Sequence, residues 1–207
     1  MTKTEQFEPK QSRSRRTQAR LFDATEQLLR RQAFDDLTVA QITAEAKVSV
    51  GTFYRRFANK EALLQQLMEQ YWQHDAMKRS ECLTAMSQQP DVANRLRIMV
   101  AYYITDYTQN AGVLRNIVLR WRLQFATIGG SQEHLATIES VKEMATALVS
   151  GQSGIEMDNA IMCVHLVANQ CRDFCLFPEL LANATLRDWR KYLPDHLFSA
   201  CIGLLES

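Results

Sequence analysis

Apolar positions recur along this chain at three- and four-residue spacing, and no stretch alternates with period two for long, so the pattern predicts an all-α fold. Leu21, Thr25, Leu28 and Leu29 line one face of a first helix reaching about Gln32, with Phe22 and Phe34 closing a small core. Val39, Ile42 and Ala46 mark a second, short stripe, and Phe53 with Phe57 sets the buried face of a third helix. A long helix follows from Lys60 to about Ser87, ended by Pro90. Further patterns cover Asp91 to about Gln109 (Leu96, Met99, Val100, Tyr103, Tyr107), Val113 to Phe125, and Ser131 to Val149. Gly129-Gly130 and the GQSG segment at 151–154 supply the breaks. Asp158 is expected to cap a helix that is apolar around most of its circumference and ends near Pro178. Leu186 to Tyr192, then Pro194 to Leu205, complete a count of about nine helices.

Local chemistry sharpens the stretch from Thr38 to Lys60. Thr38 has the character of an N-cap, and Gln41 three residues on can reach back to its amide. Lys47-Val48 makes a tight turn, Ser49 caps the next helix, and Asn59 is a third cap with Glu61 in the first turn beyond it. Laid out at about 100° per residue, the helix after Ser49 turns Phe53 and Phe57 inward. Gly51 and Arg55 lie opposite them, Thr52 just to one side, and Tyr54 and Arg56 on the flanks. A face with a bare backbone, a short hydroxyl and a guanidinium, bordered by a phenol and a second cation, suits base edges in the middle and phosphates on either side.

The order Val48-Ser49-x-Gly51-Thr52-x-Tyr54-x-x-Phe57-x-x-Lys60-x-x-Leu63, preceded by Thr38-Val39-x-x-Ile42, closely resembles the DNA-binding domain of TetR-family transcriptional regulators. The likeness covers about the first third of the chain. It implies a three-helix domain with a helix-turn-helix, followed by a larger helical domain for effector binding and dimerisation. It also implies DNA contacts from Thr38, Ser49, Val50, Gly51, Thr52, Tyr54, Arg55, Arg56 and Lys60. For Lys60, two roles compete: an ammonium aimed at a phosphate, which the resemblance favours, or one left in solvent. The sequence departs from the family at Lys47 and Ala33, where glycine is usual or frequent. Both are expected to be left-handed positions, costing a side chain about 1 kcal/mol each.

Charge divides along the same line. The net charge is +1, yet residues 1–60 hold twelve Lys and Arg against seven acids and the remainder is acidic. A basic part joined to an acidic one fits a polyanion-binding module attached to something else. Residues 1–12 are polar and lack periodicity, so a flexible arm is expected there, with 13–60 as the DNA-binding domain and 61–207 as the second domain. Arg13, Arg15 and Arg16 lead from that arm into the first helix, and the arm can lie along DNA or merely solubilise. The start carries no apolar run suited to a signal peptide, and five cysteines at irregular spacing make no disulfide framework, which points to a reducing cytoplasm.

The last two long helices offer more apolar surface than one subunit needs, including Leu197, Phe198, Cys201, Ile202, Leu204 and Leu205 on the final one. Pairing with their copies would form a four-helix interface, as the resemblance implies, and would set two recognition helices about 34 Å or a multiple of that apart on a near-palindromic site. The resemblance further implies an effector cavity. Candidate lining residues are Tyr103, Tyr107, Trp121, Phe125, Met144, His165 and Asn169, beside Tyr102 and Met162, and their neutral character suits a largely apolar small molecule. The long helix from Lys60 would be the rigid connection along which a signal passes. The function expected is thus a homodimeric repressor with no cofactor and no metal. The alternative is a regulator answering to thiol oxidation or a protein partner. Cys171 and Cys175 with Cys163 and His165 lack zinc spacing and read better as small core residues. An enzyme finds no support in any nucleophile–base pair, metal motif or phosphate loop; Glu139 and Glu143 read as solvated.

Overall fold

The computed structural model describes the backbone at residues 10–128, 132–181 and 189–206, and the side chains at 12–119, 136–179 and 189–206. Among these residues there is no strand. Among the described residues nine α-helices follow one another: α1 Lys10–Leu29, α2 Val39–Glu45, α3 Val50–Tyr54, α4 Lys60–Ser87, α5 Val92–Gln109, α6 Ala111–Ile128, α7 Gln132–Val149, α8 Met157–Leu176 and α9 Trp189–Leu205. The chain forms two compact units, Met1–Tyr71 and Trp72–Ser207, and α4 runs from the first into the second. Because α1 starts at Lys10, the last residues of the expected arm are helical. The Gly129-Gly130 break and Ser131 lie outside the described residues.

The first unit closes on its aromatic residues. Phe22, Phe34, Phe53, Phe57, Leu21, Leu29, Ile42 and Leu63 are all buried, each contributing about 1.5–3 kcal/mol by leaving water. Phe57 sits between Phe22 and Phe53, with ring centroids 6.0 and 5.5 Å away. Thr38 and Gln41 form the expected capping box at the start of α2: the Gln41 amide donates to Thr38 Oγ1, and the Thr38 amide to Gln41 Oε1. At the end of α2 the Lys47 amide donates to the Ala44 carbonyl and the Val48 amide to that of Thr43. These are the two bonds of a Schellman motif, and they hold Lys47 at φ 54° in the left-handed region. Ala33 does not share that conformation. Its φ of −67° and ψ of 151° are extended, because it caps the 3-10 turn Phe34–Asp36 instead of closing α1 through a left-handed residue.

In the second unit, α5, α7, α8 and α9 surround a core built on Leu96, Met99, Met144, Leu148, Val164 and Leu197. Arg95 is buried and ends α7: its guanidinium donates to the carbonyls of Gln89, Leu148 and Ser150, placing a cation where orphan carbonyls collect. Gly151 and Gly154, at φ 71° and 86°, then carry the chain into α8. Two expectations fail here. The cap of α8 is Glu156, with Asp158 inside the first turn. Pro194 does not open a helix either; it lies within α9, which forgoes one backbone bond and continues because Leu193 and Leu197 on either side of it are held in the core. The part of the expected 186–192 helix before Trp189 falls outside the described residues.

Candidate nucleic-acid interface

The side chains of α3 divide as the helical wheel requires. Phe53 is 0% and Phe57 2% exposed, whereas Val50 and Tyr54 are 46% and 56% exposed. Gly51 and Arg55 are exposed too. Only five residues are α-helical, but the amides of Arg56 and Phe57 both donate to the Phe53 carbonyl, so the turn extends to Phe57. Ser49 caps it, its hydroxyl accepting from the Thr52 amide at 3.1 Å. The same hydroxyl lies 2.9 Å from Thr52 Oγ1, which accepts from Arg55 Nη2 at 2.8 Å. A polar chain of cap, hydroxyl and guanidinium thus runs along the outer surface, committing one of the five guanidinium donors to it.

Gly51 has no internal reason to be glycine. A Cβ built there would meet only Ser49 Oγ at 4.0 Å, and its φ is not left-handed. An exposed glycine in a helix costs stability, and what it leaves free is close approach of something outside to the backbone. Thr38 is exposed one turn before the buried Ile42. Arg56 is half-buried and reaches back to α1, donating from Nη1 to Ser14 Oγ at 2.9 Å, while its Nε is buried without an acceptor. Lys60 makes contacts that neither expectation named. Its ammonium donates to the carbonyls of Phe34, Asp35 and Leu37 at 3.1, 2.9 and 2.8 Å, and lies 4.8 Å from the centre of the Phe34 ring. The half-buried ammonium thus has its three donors met by backbone carbonyls.

Sequence reasoning missed Arg20, whose Nη2 donates to the carbonyl of left-handed Lys47 at 2.8 Å, and Ser14. No local pattern marks a contact 27 residues apart.

In the second unit, Tyr103 and Tyr107 stack at 6.2 Å and Tyr102 meets Tyr103 edge-on at 5.1 Å. Burial raises the pKa of all three phenols, and Asp75 adds to it at Tyr102, which donates to that carboxylate at 2.7 Å. Asp75 also accepts from Arg79 at 2.9 Å, so this buried acid, unmarked in the sequence, ties α4 to α5. Met144 is wholly buried, whereas His165, Asn169 and Met162 are exposed on the outer side of α8 rather than gathered with the tyrosines. The side chains of Trp121 and Phe125 lie outside the described residues. Cys163 and Cys201 face each other across α8 and α9, Cys163 Sγ donating to the Cys201 carbonyl at 3.5 Å and Cys201 Sγ to the Cys163 carbonyl at 3.8 Å. Among the described residues no group of three or more His, Cys, Asp or Glu could hold a metal ion, and no helix is long and apolar enough to cross a membrane.

Capped α2, a Schellman turn and α3 with its aromatic side inward and its Gly-Thr-Arg side outward define a helix-turn-helix of the kind that reads duplex DNA. Residues 21–67 match the family described as bacterial regulatory proteins, tetR family. Solved structures share the fold over nearly the whole chain. A TetR transcription regulator from Haloarcula marismortui is 14% identical with a TM-score of 0.63, over 92% of this chain and 96% of that one. The transcriptional regulator FadR from Bacillus subtilis, in complex with stearoyl-CoA, is 16% identical with a TM-score of 0.60, over 91% and 97%. A TetR-family transcriptional regulator from Streptomyces coelicolor is 18% identical with a TM-score of 0.60, over 93% and 97%. No curated protein matches the chain. Residues 21–67 thus match the TetR-family DNA-binding model, and the chain shares its fold with solved TetR-family regulators.

Proposed function

We propose that this protein is a homodimeric repressor that leaves a near-palindromic operator when a small, largely apolar effector occupies its second unit. The observation that carries the proposal is the outward face of exposed Gly51 and Arg55 with half-buried Thr52 between them, set against fully buried Phe53. Arg55 would read a base edge with its remaining donors, Val50 would meet a thymine methyl, and Gly51 would let the backbone come close. Thr38, Ser49, Thr52, Tyr54 and Arg56 would hold the flanking backbone. In this reading residues 13–60 bind DNA, and 61–207 bind effector and partner subunit.

Pairing would use the outer sides of α8 and α9. Leu197, Cys201 and Leu205 are already spent on the subunit's own core. What remains outward is Met157, Met162 and Tyr192, with Ser199, Ala200 and Gly203 small enough for close helix approach. The effector would lie against Tyr103, Tyr107 and the neighbouring apolar side chains. FadR, which shares the fold, holds stearoyl-CoA with its long apolar chain, and that supports an apolar effector here. Effector binding would favour a conformation of the second unit that moves α4, a coupling of about 1–3 kcal/mol. Selecting bound fragments from random DNA, then titrating them with molecules found by thermal shift, tests the proposal. Failure to select any sequence would refute it.

The facing thiols of Cys163 and Cys201 favour a second reading, control by thiol oxidation. Loss of DNA binding on peroxide treatment, prevented by Cys163→Ser, with no stabilising small molecule, would favour it over the first.

A further inference from the structure

We infer that Lys60 is a positioning residue that closes the helix-turn-helix into a loop of fixed geometry. This rests on the DNA-binding reading above but assigns Lys60 work that is not contact with DNA. Residues 38–59, which contain all of α2 and α3, begin just after Leu37 and end just before Lys60. The Lys60 ammonium binds the Leu37 carbonyl at 2.8 Å, so it joins the two ends of that segment directly. Its other two donors go to Phe34 and Asp35 at 3.1 and 2.9 Å, in the 3-10 turn that links α1 to α2.

The geometry explains why one residue has this leverage. Leu37 immediately precedes Thr38, whose side chain caps α2, and Lys60 is the first residue of α4, entered through the Asn59 cap. Both ends of the recognition unit therefore end on one tetrahedral ammonium. Backbone carbonyls are the acceptors, so the clasp fixes chain path rather than side-chain rotamers. An arginine could not replace it, because a planar fork does not direct three donors at three converging carbonyls, although it would serve a phosphate well.

The test compares the full-length protein with Lys60→Met, which keeps an unbranched stem of similar bulk, and Lys60→Arg. Hydrogen exchange without DNA is read at the amides of 38–59. Binding is then measured, well below any unfolding transition, to fragments the parent protein selects from random DNA and to unselected fragments of equal length, across a salt series. We expect both variants to exchange about tenfold faster in α2 and α3, as loss of charge-assisted bonds implies. The ratio of selected to unselected affinity should fall about tenfold with the salt slope unchanged, whereas a residue that merely supports stability would leave that ratio alone. Should Lys60→Met fail to fold, Lys60→Arg carries the comparison. The inference is overturned if exchange is unchanged, if Lys60→Arg matches the parent, or if the salt slope falls by about 0.9 per subunit, as loss of a phosphate contact would make it. If the parent selects no sequence, the DNA-binding reading fails, while hydrogen exchange still decides the clasp.

Discussion

Lys47 is held at φ 54°, and replacing it with glycine should stabilise the first unit. A non-glycine residue in the left-handed region costs about 1–2 kcal/mol because its Cβ crowds the following carbonyl. Glycine removes that crowding but widens the unfolded ensemble, which returns about 0.4–1 kcal/mol. The bonds around the turn are untouched: the Lys47 and Val48 amides keep their carbonyls, and the Lys47 carbonyl keeps Arg20 at 2.8 Å. The balance is a gain of about 0.5–1 kcal/mol, or about 1–4 °C in melting temperature for a chain of this length. Differential scanning calorimetry at pH 7 measures it. Lys47→Ala is the control, since it removes the same charge and keeps the Cβ, and it should bring no gain. Ala33, expected in the same conformation but found extended, supplies the opposite case: Ala33→Gly should lose about 0.4–1 kcal/mol. If Lys47→Ala stabilised as much as Lys47→Gly, charge rather than backbone strain would be the cause and the reasoning would fail.

Arg55→Ala should cost about 1–3 kcal/mol of binding to selected fragments and flatten preference at one base position per half-site; unchanged binding and preference would mean that Arg55 does not face the groove. Gly51→Ala should leave folding intact or add a few tenths of a kcal/mol, since the new methyl meets nothing closer than 4.0 Å, yet weaken DNA binding at least tenfold; equal affinity in a gel-shift titration would remove the close-approach argument. Glu26→Gln tests a pH dependence. Burial, then Asp23, raises the Glu26 carboxyl above its ordinary 4.5, with Arg30 opposing more weakly. As pH rises past 4.5 the unfolded chain gives up this proton first, so the folded state loses stability up to its own higher pKa and stays penalised at neutral pH. Thermal melts should therefore show Glu26→Gln stabilising at pH 7, with the difference shrinking as pH falls through the folded pKa towards 4.5; a constant difference between pH 7 and 4.5 would count against burial as the cause.

The helices and their caps were legible because the groups that decide them are neighbours. The pairing of Thr38 with Gln41, the Ser49 and Asn59 caps and the inward turn of Phe53 and Phe57 are all settled within four residues, by hydrogen-bond reach and helical period. The outward Gly51-Thr52-Arg55 face follows from the same period, so most of the candidate interface could be read before any coordinates. Propensity alone erred where packing outweighed it. Pro194 stays inside α9 because the core grips both sides of it, and Ala33 is extended because the chain enters a 3-10 turn there.

What only the tertiary structure decided lies in contacts between residues remote in the chain. The three carbonyls on Lys60, the Arg20 hold on Lys47, the Arg56 reach to Ser14, the bond from Tyr102 to buried Asp75 and the facing of Cys163 with Cys201 each join residues at least 23 apart. His165 and Asn169 belong with these: their spacing puts them on one helix face, but whether that face looks into the core or out of it is settled by the helices packed around α8. A long polar side chain has many acceptors within its reach, and which one it takes depends on where a distant backbone has been brought by the burial of apolar surface. Period and capping specify each helix from within, while the partner of an ammonium is specified by everything else.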